Sequence, residues 1–262
     1  MNSFTILQDI PVRVFDTKTD KTPIVLLHGY LETIEIWDSF FPLLNENFRV
    51  ILFDLPGHGM SGSYDINTMS RQAAVIKAYL DKERITCIAL AGHSMGGYVA
   101  QAFTLDYPDT VRSLVLIHST PFSDSEEKKC MRELEISQIK AGKLKDVIER
   151  FMPLVYAPKN RKPFEEFIDE AIGAAMVHEP EGIIASLKGL MERPSYESLL
   201  LQLKCPLLFF FGTEDQFITL DRARYLFDAY PKANSIFLEN SGHQGFIEEP
   251  KVVAEAIISL CS

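Results

Sequence analysis

The sequence predicts an α/β protein whose mostly parallel central sheet is flanked by helices and carries an inserted all-helical cap. Short continuous apolar runs alternate with helix-like segments over most of the 262 residues. Such runs suit strands that are buried on both faces of a parallel sheet. From residue 121 to residue 204 the strand signal is absent and only helical spacing remains. The full length of 262 residues fits one α/β core with one insertion.

The elements follow in chain order. Residues 4–16 predict an edge hairpin with a polar turn near Asp9, because Val12-Arg13-Val14-Phe15 alternates as a half-exposed strand does. The predicted strands of the parallel sheet lie at residues 24–27, 49–53, 87–90, 114–117, 206–212 and 235–238. The predicted helices that accompany them lie at residues 33–46, 68–84, 95–107, 221–230 and 248–260. This alternation implies right-handed crossovers.

The helical block at residues 121–204 is expected to form a layer of its own. It carries three apolar stripes at helical spacing, beginning at Leu144, Phe164 and Ile183. We therefore divide the chain into an α/β core of residues 1–120 and 205–262 and a cap of residues 121–204. Large insertions between strands often cover active sites, so the cap is expected to act as a lid over the strand ends.

Charge and composition exclude several kinds of partner. The formal net charge is −10, whereas nucleic acids and anionic membrane surfaces are bound by clustered Lys and Arg. No apolar stretch reaches the roughly 18 residues of a membrane span, and the N-terminal residues lack a secretion-signal pattern. We therefore expect a cytoplasmic protein that binds neither nucleic acid nor membrane.

The four cysteines predict neither a metal site nor a disulfide framework, because they lie far apart without a CxxC pair. Cys87, Cys205 and Cys261 lie in or beside apolar runs. A free cysteine in such a run is usually a small buried hydrophobic residue. This pattern agrees with a reducing compartment.

A sharp turn is predicted between one buried strand and the helix that follows it. The segment Gly92-His93-Ser94-Met95-Gly96 fits the pattern G-x-S-x-G, the nucleophile elbow. A Cβ at either glycine would collide with the tight backbone. The turn places the Ser94 hydroxyl at a helix N-terminus, where unpaired N–H groups favour a developing negative charge. Ser94 is therefore the candidate nucleophile.

Two further polar residues come shortly after strand runs. Asp215 follows one of them and His243 follows the last. Loops after parallel strands converge on one edge of a sheet, so both side chains are expected near Ser94. An imidazole can take the proton of a serine when a carboxylate orients it and stabilises the imidazolium. His243 is the candidate base and Asp215 the candidate acid, with neighbouring Glu214 as a competitor for the acid role.

Two backbone donors would complete an oxyanion hole. One is the N–H of Met95, the residue after the nucleophile, and the other comes from the loop that follows the first parallel strand. Tyr30 is the predicted donor in that loop, and Leu31 is the alternative.

The remaining histidines have structural interpretations. His28 and His93 flank glycine turns and are expected to brace those turns by hydrogen bonds. His118 follows a strand end and is a candidate for lining the pocket. His178 lies in the helical block and is expected at the surface.

Together these segments resemble the α/β-hydrolase superfamily over essentially the whole chain. The resemblance rests on His28-Gly29, Asp54-Leu55-Pro56-Gly57-His58-Gly59-Met60-Ser61, Gly92-His93-Ser94-Met95-Gly96-Gly97, Asp215 and Gly242-His243. The helical block is similar to the cap of its capped members, such as esterases, enol-lactonases, carbon–carbon bond hydrolases and cofactor-free haloperoxidases. The resemblance implies an acyl-enzyme route and no metal or organic cofactor.

The expected activity is hydrolysis of a small, fairly apolar carboxylic ester or related acyl compound. The relatives with an aspartate nucleophile are disfavoured, because position 94 is Ser. The lyase-like relatives of the menaquinone pathway commonly carry Arg where Tyr98 stands here. A carbon–carbon bond hydrolase or lyase remains an alternative, as does a small-molecule receptor that keeps the triad without turnover.

Overall fold

A computed structural model describes residues 1–261, in which eight strands form a single sheet. The strands are β1 (Asn2–Leu7), β2 (Ile10–Asp16), β3 (Thr22–Leu27), β4 (Phe48–Phe53), β5 (Ile88–His93), β6 (Val111–Ile117), β7 (Leu207–Gly212) and β8 (Asn234–Leu238). Their order across the sheet is β1-β2-β4-β3-β5-β6-β7-β8. β1 and β2 form the antiparallel edge hairpin, β2 is antiparallel to β4, and the other neighbours are parallel. The predicted fold class is confirmed.

Helices flank the sheet and fill the connection between β6 and β7. They are α1 (Met69–Lys82), α2 (Met95–Asp106), α3 (Glu126–Lys140), α4 (Leu144–Phe151), α5 (Glu165–Ala175), α6 (Pro180–Glu192), α7 (Glu197–Leu201), α8 (Leu220–Ala229), α9 (Gly245–Glu248) and α10 (Pro250–Cys261). None of these helices is both long enough and apolar enough to cross a membrane.

The central strands are apolar because both of their faces are covered. Every residue of β5 and of β7 is buried. In β2, by contrast, buried residues alternate with half-buried or exposed ones, as expected for a strand near the sheet edge. The continuous apolar runs therefore mark the middle of the sheet.

One predicted helix is interrupted by proline. Residues 33–46 form two short 3-10 helices, Ile34–Trp37 and Phe41–Leu43, rather than one α-helix. Pro42 lies in this segment and cannot donate the N–H that a continuing helix requires. The helix predicted at residues 248–260 is present as α10, which begins at Pro250, and the short helix α9 precedes it.

The segment between β6 and β7 is helical, and α6 within it lies against the first half of the chain. A Cβ at Gly189 would overlap the carbonyl of Asn67, so this close approach requires glycine. The Asn67 side chain donates to the Gly182 carbonyl and to Ser186 Oγ at 3.3 and 3.0 Å. These contacts fix α6 against the loop that precedes α1.

His178 was expected at the surface, and that expectation is wrong. The side chain is buried between the helical segment and two loops of the first half of the chain. The Gly59 N–H donates to its Nδ1 at 2.9 Å, and its Nε2–H donates to the Leu31 carbonyl at 3.0 Å. His178 is therefore an anchor of the inserted segment.

The burial predicted for three cysteines holds for only one. Cys261 is buried, Cys205 is half-buried and Cys87 is exposed. Cys87 precedes the first residue of β5, outside the part of the run that the sheet covers.

Candidate active site

Ser94 occupies a strained turn between β5 and α2. Its backbone has φ 49° and ψ −113°, a left-handed conformation that non-glycine residues seldom adopt and that concentrates at functional sites. The turn is held by hydrogen bonds from the Ser94 N–H to the Ile117 carbonyl and from Ser119 Oγ to the Ser94 carbonyl, both 2.9 Å. A Cβ at Gly92 would overlap the carbonyl of Gly96. The small residues of the motif are thus required by backbone contact.

The structure brings Ser94, His243 and Asp215 into one hydrogen-bonded chain. Ser94 Oγ lies 2.9 Å from His243 Nε2, and His243 Nδ1 lies 2.7 Å from Asp215 Oδ2. The other carboxylate oxygen, Asp215 Oδ1, accepts hydrogen bonds from the backbone N–H groups of Phe217 and Ile218 at 2.7 and 3.0 Å. The competing carboxylate, Glu214, instead pairs with Lys159 at 2.6 Å.

Asp215 is buried and yet held in its ionised form. Burial raises the pKa of this carboxyl, but the charge of His243 and hydrogen bonds from His118 and His243 outweigh it, so the pKa lies well below its ordinary value. A carboxylate in this position keeps the His243 proton on Nδ1 and leaves Nε2 free to accept from Ser94.

His118 lies behind Asp215 as a second imidazole. Its Nε2 accepts the Gly245 N–H at 3.0 Å, and its Nδ1 lies 3.3 Å from both the Gly212 N–H nitrogen and Asp215 Oδ2. Burial lowers the pKa of His118 to about 4, so it is neutral at pH 7. The sequence suggested a pocket-lining role, whereas the structure makes His118 a positioning residue.

His118, Asp215 and His243 also form a group that could hold a metal ion. Within residues 1–261, donor atoms of His118, Asp215 and His243 all lie within 4.8 Å of one another. The 2.7 Å spacing between His243 and Asp215 is that of a charge-assisted hydrogen bond. The arrangement therefore fits a proton-handling chain.

A buried carboxylate that the sequence did not single out, Glu32, connects the loops around Ser94. Its Oε2 accepts the Gly29 N–H at 2.6 Å and lies 2.9 Å from His93 Nδ1, and its Oε1 accepts Gln244 Nε2 at 2.5 Å. His93 Nε2 lies 2.8 Å from the His243 carbonyl. Both nitrogens of His93 thus face acceptor oxygens, which connects the loop of Glu32 to the loop of His243.

The electrostatics of Glu32 agree with this pairing. Burial raises the pKa of its carboxyl, but the charge and hydrogen bond of His93 and the Gly29 N–H bring the pKa below its ordinary value. In the sequence, Glu32 is only a single acidic residue in the turn after β3. Its partners His93 and Gln244 lie 61 and 212 residues away along the chain, so no local pattern identifies it.

The two predicted oxyanion donors come from the residue after Ser94 and from the loop after β3. Met95 is the first residue of α2, and Tyr30 follows β3. Among the residues that the structure describes, the backbone N–H groups of Tyr30, Leu31 and Met95 donate to no protein acceptor. A buried N–H without a partner is uncommon and suits a site that binds an anionic oxygen.

These groups open into a cavity of about 450 Å³. Ser94, Met95, Tyr30 and His243 line it, together with apolar side chains of which Phe217 packs 4.9 Å from the His243 ring. The cavity also carries basic side chains. These are Lys128, Arg132, Arg150, Arg193 and Arg222. The apolar stripes of the helical block gave no indication of this basic wall.

An eight-stranded, mostly parallel sheet with a strained serine at a strand–helix turn defines the α/β-hydrolase class of enzymes. The comparisons with known proteins agree. A family model described as alpha/beta hydrolase fold matches residues 22–137. The chain is 30% identical over 248 residues to a 2-hydroxy-6-oxononadienedioate/2-hydroxy-6-oxononatrienedioate hydrolase from Paraburkholderia phymatum, covering 90% of this chain and 85% of that protein.

Other relatives are esterases. The chain is 27% identical to a pimeloyl-[acyl-carrier protein] methyl ester esterase from Proteus mirabilis, covering 92% of this chain and 93% of that protein. A thermophilic esterase from Thermogutta terrifontis, solved with malate bound, superposes with a TM-score of 0.92 at 27% identity over 99% of this chain and 97% of that one. The chain belongs to the α/β-hydrolase family and is a hydrolase.

Proposed function

We propose that this enzyme is a serine hydrolase that cleaves a small carboxylic ester or related acyl compound through Ser94, His243 and Asp215. One observation carries the proposal. The three side chains form a continuous hydrogen-bonded chain of 2.9 and 2.7 Å that ends at a strained serine on the wall of a cavity. The esterase relatives support the same reaction class.

The reaction begins with attack on the ester carbonyl. His243 Nε2 takes the proton of Ser94 as Oγ bonds to the carbonyl carbon, and Asp215 stabilises the imidazolium that forms. The oxygen of the tetrahedral intermediate takes up the negative charge and accepts hydrogen bonds from the backbone N–H groups of Tyr30 and Met95. The N-terminus of α2 adds its dipole to this stabilisation.

Collapse of the intermediate releases the alcohol, which takes the proton from His243. The acyl group is then bound to Ser94 as an ester. His243 next removes a proton from water, the resulting hydroxide attacks the acyl carbonyl, and a second tetrahedral intermediate forms. Its breakdown returns the proton to Ser94 Oγ and releases the carboxylic acid.

The helical segment of residues 121–204 is proposed to serve as the cap of this site. Lys128 and Met131 of α3, Phe151 of α4 and Leu190 of α6 line the cavity. A bound ester therefore lies between these helices and Ser94. This placement excludes bulk water and strengthens the electrostatic interactions that the oxyanion donors make.

Carbon–carbon bond hydrolysis is the second candidate, favoured by the 30% identity to the oxononadienedioate hydrolase. The same base and the same oxyanion donors would serve a carbonyl whose leaving group is carbon. Turnover of a 2-hydroxy-6-oxo dienoic acid, with no turnover of any ester, would establish this alternative in place of esterase activity.

The test uses 4-nitrophenyl esters from acetate to decanoate and a fluorophosphonate label. We expect the wild type to hydrolyse these esters and to be labelled, and Ser94→Ala to lose both. Asp215→Asn should lower kcat by roughly 10³- to 10⁴-fold, because His243 is then held in the wrong tautomer. Glu214→Gln is the matched control, since Glu214 pairs with Lys159 away from His243. Activity that survives in Asp215→Asn and disappears in Glu214→Gln would reverse the assignment of the acid.

A further inference from the structure

The cavity above Ser94 carries charge of the opposite sign to the whole chain. The protein has 36 acidic and 26 basic residues, yet basic side chains outnumber acidic ones on the cavity wall. The basic residues there are Lys128, Arg132, Arg150, Arg193 and Arg222, and the acidic residues are Asp124 and Glu135. An anion that the net charge of the protein repels would therefore be attracted to this cavity.

Part of this basic charge is already neutralised. Asp124 is buried and pairs with Arg193 at 2.8 Å and with Arg132. Glu135 accepts the hydroxyl of Tyr30 at 2.8 Å. The cavity acids are thus engaged with other groups of the wall.

Three of the five basic residues on the cavity wall have no carboxylate partner within residues 1–261. They are Lys128, Arg150 and Arg222. Arg150 donates to the neutral Gln138 side chain at 3.0 Å. The Arg222 guanidinium lies 4.0 Å from the centre of the Phe122 ring. Neither contact neutralises charge, so both guanidinium groups are available to a ligand.

Lys128 is the one of these cations that the structure ties to the reacting groups. It is half-buried, and its ammonium lies 6.0 Å from the centre of the Phe217 ring. The same ring packs 4.9 Å from His243 and 5.4 Å from Phe151. Burial, and then repulsion from Arg132, lowers the pKa of Lys128. A cation in such surroundings gains more from a bound anion than a lysine in water does.

We propose that the cavity binds esters that carry a free carboxylate at the end remote from the scissile ester, and that Lys128 and Arg222 recognise this carboxylate. The inference rests on the proposed serine hydrolase and names its substrate class. The apolar rings of Phe122, Phe151 and Phe217 accommodate the hydrocarbon between the two ends. Lys128 supplies a point charge, and the Arg222 guanidinium supplies the planar donor pair that matches a carboxylate.

The experiment compares monomethyl esters of straight-chain dicarboxylic acids, from succinate to sebacate, with the dimethyl esters of the same acids. The measured quantity is the ratio of kcat/KM for the half-ester to that for the diester, corrected for the two ester groups of the diester. We expect a preference for the half-ester of about tenfold or more at the best chain length, which falls as NaCl is raised from about 0.05 to about 0.5 M.

Substitution should reduce this preference at the proposed residues. Lys128→Met and Arg222→Met are each expected to lower the ratio by about fivefold or more. A general loss of folding or catalytic power cancels in the ratio. Lys129→Met is the matched control, because Lys129 neighbours Lys128 on α3 but pairs with Glu126 at 2.8 Å outside the cavity. Its ratio should equal that of the wild type.

Binding to the Ser94→Ala variant separates this proposal from the proposed function. By calorimetry, the half-esters should bind Ser94→Ala more tightly than the diesters do. Hydrolysis of half-esters and diesters at equal rates, with ratios unchanged in Lys128→Met, would overturn the carboxylate site and leave the serine hydrolase intact. Selective binding of half-esters without hydrolysis of any ester by the wild type would overturn the hydrolase and leave the carboxylate site intact.

Discussion

Glu32 shows how one buried residue can organise several parts of an active centre. Its carboxylate joins Gly29, which lies beside the proposed oxyanion donor Tyr30, to His93, which precedes the proposed nucleophile Ser94. Through His93 and Gln244 it also reaches the loop that carries His243. A buried charge is tolerated only when it is paired and hydrogen-bonded, and each polar contact of Glu32 is made to a loop of the site. We infer that Glu32 is a positioning residue.

The substitution Glu32→Gln tests this role. The amide keeps the shape of the side chain but removes the carboxylate that contacts Gly29, His93 and Gln244. We expect kcat on 4-nitrophenyl acetate to fall by about 10- to 100-fold with little change in KM, because a small misplacement of the oxyanion donors lowers transition-state binding. Steady-state kinetics measure this split.

Glu35→Gln is the matched control for Glu32→Gln, since Glu35 lies in the same loop and pairs with Arg13 at 2.6 Å. Its kcat should equal that of the wild type. If Glu32→Gln lowered the free energy of unfolding and left kcat unchanged, Glu32 would serve the fold alone.

The sequence supports some site residues and leaves others unidentified for a physical reason. Ser94, Asp215 and His243 each follow a strand end, and the topology of a parallel sheet predicts that such loops converge. Glu32 and His118 act through other residues of the chain, and their partners become neighbours only after folding. No local pattern records a contact such as that of Glu32 with Gln244, 212 residues away.

At the scale of secondary-structure elements, α2 packs closely against β3 in the site. A Cβ at Gly96 of α2 would overlap the carbonyl oxygen of Leu27 at the end of β3. Backbone cannot move aside as a flexible side chain can. This contact therefore sets the distance between the helix that follows Ser94 and the strand that precedes the oxyanion loop.

Two glycine-to-alanine substitutions in helices should consequently have opposite effects. Gly96→Ala is expected to lower the free energy of unfolding by about 2 kcal/mol, as overpacking does, and to reduce kcat. Gly173→Ala in α5 should raise the free energy of unfolding by about 0.5 to 1 kcal/mol, because nothing lies within 4 Å of the added Cβ and alanine favours the helix. Urea unfolding of both variants measures the two changes. Equal effects would contradict the packing derived for α2.

The elements themselves were predictable where hydrophobic period and length agreed. The buried strands read as continuous apolar runs, and the helical block read as stripes at helical spacing. The prediction of one helix over residues 33–46 was wrong. The pattern of apolar residues in this segment is helical, but Pro42 breaks the helix. Proline removes a backbone donor whatever the pattern of its neighbours, so it outweighs periodicity.

At the scale of the whole molecule, buried neutral histidines join distant parts of the chain. His178 links the inserted helical segment to the loops of Gly59 and Leu31, and His118 links β6 to Asp215 and Gly245. Burial lowers the pKa of His178 and of His118 from 6.5 to about 4. Burial also lowers the pKa values of His28 and His58. The folded state therefore excludes protons that the unfolded chain accepts.

The direction of the pH dependence follows from these shifts. Between pH 6.5 and pH 4 the unfolded chain binds protons on His118 and His178 and the folded chain does not, so acid favours unfolding. Stability is fully present above pH 6.5 and is lost progressively as the pH falls toward 4. The free energy of unfolding, measured with urea, should therefore be lower at pH 5 than at pH 7. Most carboxylates are ionised at both values, which leaves the histidines as the main source of the slope.

His178→Gln isolates the contribution of the inserted segment to this slope. Glutamine does not titrate, so the loss of stability between pH 7 and pH 5 should be smaller in the variant than in the wild type by about 2 kcal/mol, the value expected for one buried histidine over this range. Comparing the change with pH, rather than the stability at one pH, removes the cost of altered hydrogen bonds at Gly59 and Leu31. Identical pH dependence in the two proteins would show that His178 is protonated in the folded state or that its anchoring contacts do not persist in solution.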